Sequence, residues 1–144
     1  MVKKHNIIRT AQGAGRWFPA TERELRCMVE GFMANARPRS APGRIIGAIA
    51  PHAGYLYSGS IAGYTFKAIS RNAEQFGPPD TAVVLGFSHR EQFPGTALMD
   101  GRALQTPLGT VELDTEAVDL LSSSFPDIRP DYSPHRLEHS AENL

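Results

Sequence analysis

Two histidines, His52 and His89, each stand a few residues after a short apolar run. Neutral imidazole is the commonest protein ligand for iron, copper and zinc. A simpler role, in which each ring is hydrogen-bonded to loop backbone, stays open for either histidine alone. We predict a metal-binding or catalytic role for the pair, with His135, Glu138 and His139 as candidates for a third ligand. Two histidines and one carboxylate would form the open type of site found in non-haem iron oxygenases.

The two apolar runs, residues 44–50 and 81–86, follow stretches of turn composition and lead into these histidines. Short, nearly continuous apolar runs are typical of strands buried on both faces of a parallel sheet. Between them, Ser58 or Ser60 could cap a helix that runs to about Ser70. The three segments therefore predict a βαβ unit with parallel strands. Ligands of such sheets bind beyond the carboxyl ends of the strands. His52 and His89 are therefore predicted to lie on the same rim.

The remaining segments complete a predicted α/β fold of three layers, in which a mainly parallel or mixed sheet is flanked by helices. Thr21 and Glu24 have the spacing of a capping box and start a helix. Cys27 lies on that helix beside apolar residues, so we expect it to be a small buried residue. Further predicted elements are a strand at 96–99, a helix at 115–121 and the opening of a helix at 134–144.

The composition is that of a globular protein, with 41% hydrophobic and 21% charged residues. Lys and Arg total 15, Asp and Glu total 15, and the formal net charge is zero. Proteins that bind nucleic acid or anionic membranes carry a basic excess, so neither partner is expected. The single cysteine excludes an internal disulfide, and no apolar stretch has the length of a signal peptide or a membrane span. We expect a cytoplasmic protein.

Tyr55 and Ser58 follow His52 closely and support a second interpretation of the same crevice. The Tyr55 hydroxyl could bind a ligand at the pocket mouth, and Ser58 at a helix start could help to hold an anion. Packing explains the tyrosine equally well, and helix capping explains the serine. The sequence therefore leaves open a non-enzymatic module that binds a peptide or a small anionic ligand.

Five ordered motifs, spread over nearly the whole chain, resemble those of the Memo family. They are Gly15-Arg16-Trp17-Phe18-Pro19, Pro51-His52-Ala53-Gly54-Tyr55 with Tyr57-Ser58-Gly59, Leu85-Gly86-Phe87-Ser88-His89, Thr106-Pro107-Leu108-Gly109 with Asp114, and Glu138-His139-Ser140 with Glu142. The resemblance implies an α/β fold related to class III extradiol dioxygenases. It also implies a pocket at the strand ends that binds iron or copper, with redox or ring-cleavage chemistry on a small molecule.

By this resemblance His52 and His89 are the histidine ligands, and Glu138 lines or supports the pocket. In an extradiol reaction His139 would move the proton. The third ligand of the Memo branch is a cysteine from the later half of the protein, and Cys27 does not match its position.

The chain departs from the Memo pattern in two ways. Phe87 stands where the family usually has proline, which would reshape the loop of His89. The chain is also about half the usual family length, so residues 1–144 are expected to form a single domain that is incomplete at its C-terminal end. A homo-oligomer or a complementing C-terminal half is the expected partner, and an inactive remnant is the alternative.

Overall fold

The computed structural model describes residues 6–144, which form three α-helices, five short strands and one 3-10 turn. In chain order these are β1 (Ile8–Thr10), α1 (Glu22–Asn35), α2 (Tyr55–Phe76), β2 (Thr96–Leu98), β3 (Ala103–Thr106), β4 (Gly109–Glu112), α3 (Thr115–Ser124), β5 (Ile128–Pro130) and the 3-10 turn Ser133–His135. Within these residues no helix is long and apolar enough to cross a membrane.

The strands form two small sheets, which with the helices make an α/β fold, as predicted. In the first sheet β1 runs parallel to β3, and β3 pairs antiparallel with β4. In the second sheet β2 runs parallel to β5. The predicted strand at 96–99 is β2, and the predicted helix at 115–121 is α3. One mixed sheet and one parallel sheet, together with the helices, confirm the expected α/β fold class.

Helices α1 and α2 pack closely because glycines of α2 meet a phenylalanine of α1. A Cβ atom at Gly59 or Gly63 would collide with Phe32, so the absence of a side chain lets the helices approach. The predicted capping box is confirmed at the start of α1, where Thr21 Oγ1 accepts from the Glu24 N–H and donates to the Glu24 carboxylate.

The two apolar runs at 44–50 and 81–86 are not strands in the described part of the chain, so the predicted βαβ unit is wrong there. Neither run makes a backbone–backbone hydrogen bond within residues 6–144. Ile46, Ile49 and Leu85 are 99%, 94% and 80% exposed. A strand needs a neighbouring strand for its amides and carbonyls, and none lies beside these runs.

Three further expectations are corrected by the structure. Cys27 is exposed because it stands two residues from buried Leu25, and positions two apart lie on opposite sides of a helix. Helix α2 begins at Tyr55, before the predicted caps Ser58 and Ser60, and extends to Phe76, beyond the predicted end near Ser70. The segment after His135 forms turns rather than the predicted helix, because side chains bind its backbone groups.

Candidate metal centre

His52 and His89 come together although the runs that precede them are not paired strands. Their Nε2 atoms are 3.5 Å apart, and their ring centroids are 5.3 Å apart. His52 lies just before α2, and His89 lies in the loop that follows residues 81–86. The juxtaposition expected from the sequence is therefore present in the structure.

Glu138 lies beside this pair and accepts several hydrogen bonds there. Its carboxylate accepts four hydrogen bonds: from the His89 N–H at 2.6 Å, His89 Nδ1 at 2.9 Å, the His139 N–H at 2.8 Å and the Ser140 N–H at 2.9 Å. Burial alone would raise the pKa of Glu138. The hydrogen bonds from His89, His139 and Ser140 outweigh it and lower the pKa to about 2. Glu138 is thus ionised at any physiological pH.

The ionised carboxylate sets the tautomer of His89. Because the ionised Glu138 accepts a hydrogen bond from His89 Nδ1, that nitrogen carries a proton, and the neutral form of the ring has its lone pair on Nε2. The lone pair lies on the side of the ring that faces His52. An imidazole oriented by a carboxylate in this way is the usual arrangement of a metal-binding histidine.

The His139 ring is stacked between two aromatic rings. Its centroid is 5.1 Å from that of Trp17 and 5.0 Å from that of His89. Burial lowers the pKa of His139, although the nearby Glu138 carboxylate acts in the opposite direction. The ring is therefore neutral near pH 7 and can accept a proton.

Arg9 anchors the segment that carries Glu138 and His139. From strand β1, its guanidinium donates to the backbone carbonyls of His135 and Glu138 and to the Glu142 carboxylate. The Arg9 and Glu142 side chains are only 7% and 5% exposed, so this ion pair is buried. Sequence reasoning missed Arg9, since no local pattern distinguishes one arginine near the chain start.

The same segment also binds both histidine loops. The Ser140 hydroxyl donates to the Phe87 carbonyl at 2.7 Å, and the Asn143 amide donates to the His52 carbonyl at 3.0 Å. We call residues 138–143 the clasp segment. Its contacts explain how the two histidines meet without strand pairing between the runs before them.

Comparison with known proteins now identifies the family. Residues 9–143 match the family model described as Memo-like protein. The chain belongs to the Memo family. It is 36% identical over 136 residues to a MEMO1 family protein of Methanopyrus kandleri, covering 90% of this chain and 47% of that protein. It is also 32% identical over 142 residues to a MEMO1 family protein of Pyrobaculum aerophilum. That match covers 94% of this chain and 49% of the relative. The chain thus spans about half the length of the curated relatives it matches.

The two Nε2 atoms of this Memo-family chain are spaced as two ligands of one cation would be. Metal–nitrogen bonds of about 2.1 Å at a tetrahedral angle place two nitrogens about 3.4 Å apart, close to the 3.5 Å between His52 and His89. His89, Glu138 and His139 also have ligand atoms within 4.8 Å of one another. Direct ligation by Glu138 would cost some of its four hydrogen bonds, so a positioning role fits it better.

The structure does not bring Tyr55 and Ser58 into the His52–His89 pair's hydrogen-bond network. The Tyr55 ring packs against Phe18, at 5.4 Å between centroids, and burial raises the pKa of its hydroxyl. The Ser58 hydroxyl donates to the Ala53 carbonyl at 3.1 Å. Backbone N–H groups at the start of α2 already donate to Trp17 and Gly54 carbonyls, which counts against an anion site there.

His135, the other candidate third ligand, makes its side-chain hydrogen bond to strand β2 rather than to the pair. Its Nε2 is 3.0 Å from the Ala97 carbonyl of β2, and burial lowers its pKa. Trp17 was not predicted as a site residue, although its motif contributed to the family resemblance. That motif was the feature of the sequence that could have identified Trp17 as part of the site.

Proposed function

We propose that this Memo-family chain binds iron or copper through His52 and His89, in a site for redox or extradiol-dioxygenase-type oxidation of a small molecule. The observation that carries the proposal is the pair of Nε2 atoms at 3.5 Å, with Nδ1 of His89 held by an ionised carboxylate. Imidazole nitrogens suit both metals. Because the chain spans about half the length of its relatives, the activity of a whole Memo protein is part of the proposal.

A redox-active ion bound here would supply electron transfer to a substrate held at its open positions. The protein's own residues would orient that chemistry. Glu138 keeps the His89 lone pair directed toward His52. His139, neutral and stacked on His89, would accept the proton of a bound hydroxyl group.

Metal affinity tests the proposal directly. Anaerobically purified protein would be titrated with Fe²⁺ and Cu²⁺ by calorimetry and its metal content measured by elemental analysis. We expect His52→Ala and His89→Ala to abolish near-stoichiometric binding. Glu138→Gln should weaken it by about 10–100-fold, the usual effect of removing a partner that orients a ligand.

His135→Asn is the matched control, since it removes an imidazole that lies outside the site. It should leave metal binding unchanged. Binding that survives the loss of both His52 and His89 would contradict the ligand assignment.

Oxygen uptake with a panel of catechols then tests the reaction type, comparing the loaded wild type with His139→Gln. Full metal loading without oxygen uptake on any catechol would leave metal binding in place and refute the dioxygenase part. The proposal also includes a cytoplasmic location, which cell fractionation tests.

A further inference from the structure

Glu142 connects two parts of the chain that meet beside the candidate centre. Its Oε1 atom accepts from the Gln12 N–H at 2.7 Å and from the Gly13 N–H. Its Oε2 atom accepts from Arg9 Nη1 at 2.6 Å. The Glu142 side chain is buried. The carboxylate is therefore held in one position, because moving it would break charge-assisted hydrogen bonds away from water.

Gly13 opens a tight turn that carries Trp17, and we call residues 13–18 the tryptophan turn. The N–H groups of Arg16 and Trp17 donate to the Gly13 carbonyl at 2.9 and 2.7 Å. Gly15 has a φ of +78°, a value that favours glycine over other residues. The turn is thus braced by its own backbone hydrogen bonds. Fixing Gly13 in place consequently fixes the position of Trp17.

His139 and Glu142 belong to a single helical turn within the clasp segment. The Asn143 N–H donates to the His139 carbonyl at 3.1 Å, which closes that turn. Residues three positions apart are neighbours on the surface of such a turn. On this shared side the His139 ring stacks on Trp17, with the ring planes at 10°, while Glu142 holds the backbone of the tryptophan turn.

We infer that Glu142 is a positioning residue of the candidate centre. By binding the tryptophan turn to the clasp segment, it holds Trp17 face to face with His139 and so sets the plane of the His139 ring. His139 in turn stacks on His89, at 5.0 Å between centroids. This role rests on the proposed function, because the rings that Glu142 orients are those of the proposed metal and proton-transfer site.

Side-chain length and charge separate this role from a simpler one. If Glu142 served only to neutralise the buried Arg9 guanidinium, the variant that keeps the charge, Glu142→Asp, would substitute for it better than Glu142→Gln. Positioning depends instead on reach. In Glu142→Gln the amide oxygen can still accept from both turn amides. In Glu142→Asp the side chain is shorter by one methylene, so it keeps the ion pair with Arg9 and releases the tryptophan turn.

Proton NMR of the metal-free protein in EDTA measures the ring stack. The ring current of Trp17 shifts the ring protons of His139 upfield, and Trp17→Leu provides the unstacked reference at the same pH. Glu142→Gln should keep most of this upfield shift, and Glu142→Asp should lose most of it. Urea denaturation of each variant confirms that it is folded under the conditions of the NMR measurement.

Gly13→Ala tests the same turn with Glu142 intact. Its Cβ would lie 2.8 Å from the Phe18 ring and 3.2 Å from Glu142 Oε1, so it displaces the tryptophan turn from the carboxylate. This variant should also lose most of the upfield shift.

Gly77→Ala is the control for general destabilisation. Gly77 ends α2 with a φ of +83°, so the substitution strains the backbone there. The 22 residues of α2 place this strain about 33 Å along the helix from Tyr55. The upfield shift of the His139 protons should be unchanged.

Three results would overturn the inference. The first is an upfield shift in Glu142→Asp that equals or exceeds the shift in Glu142→Gln. The second is wild-type His139 protons that resonate as they do in Trp17→Leu. The third is a loss of the shift in Gly77→Ala as large as the loss in Glu142→Asp.

Metal titration of the wild type decides the proposed function separately. Absence of metal binding would refute that function. The NMR shifts are measured without metal, so they would still decide whether Glu142 holds the ring stack.

Discussion

The substitution Glu138→Gln isolates the hydrogen bonds that hold the site together. It replaces a carboxylate that accepts four hydrogen bonds with an amide of the same shape. The amide oxygen can keep the three bonds to Oε1, but as a neutral acceptor. The amide NH₂ then occupies the position of Oε2, where it faces the His89 N–H, donor against donor.

The expected loss follows from the strength of these bonds. Hydrogen bonds to a charged group contribute about 1.5–3 kcal/mol each, compared with about 1 kcal/mol for neutral ones. One charge-assisted bond is lost and three are weakened, so the free energy of unfolding should fall by at least about 3 kcal/mol. Urea denaturation at pH 7 measures this difference. Glu74→Gln on the exposed side of α2 is the matched control and should change stability by less than about 0.5 kcal/mol.

The dependence on pH provides the sharper test. The pKa of Glu138 is about 2 in the folded chain, compared with an ordinary value of 4.5. A lowered folded pKa means that the carboxylate stabilises the fold fully above pH 4.5, and this contribution is lost as the pH falls toward 2. The stability difference between wild type and Glu138→Gln should therefore shrink across this window. A difference that stays constant from pH 7 to pH 2.5 would refute the assigned hydrogen bonding.

Two glycine substitutions test the packing of the backbone, one at Gly86 beside the site and one at Gly95 just before β2. Gly86→Ala should destabilise the fold by about 1–3 kcal/mol in urea denaturation, because its Cβ would lie 2.5 Å from Ser140 Oγ in the clasp segment. Gly95→Ala should cost about 2–4 kcal/mol, since Gly95 has a φ of +74° and its Cβ would overlap the Asp127 carbonyl. Gly31→Ala in α1, with nothing within 4 Å, is the control and should stabilise by about 0.5–1 kcal/mol. Equal effects at all three positions would contradict the packing described.

Structural features that depend on residues close together in the chain were predictable from the sequence. The start of α1 follows from Thr21 and Glu24, which bind each other within one helical turn. The α/β class was also predictable, because the patterns of helix and strand alternate along the chain. The two apolar runs were misassigned for a physical reason. Their composition is that of strands, yet strand structure depends on partners, and none lies beside them in residues 6–144.

The candidate site was predicted in part. His52 and His89 do lie together, but the expected cause, a shared sheet rim, is not what joins them. Ser140 and Asn143 of the clasp segment hold the two loops instead. Arg9 was not predictable, because its partner Glu142 is 133 positions away and no local spacing connects them. The ligand roles of the two histidines stay predictions.

Stacking of the His139 ring on Trp17 has a practical consequence, since Trp17 is the single tryptophan of the chain. All indole emission therefore originates beside the candidate centre, with the Arg16 guanidinium 5.3 Å from the Trp17 ring centroid. Paramagnetic ions and protonated imidazoles quench indole emission at short range. Trp17 fluorescence can therefore report on events at His139 without an added label.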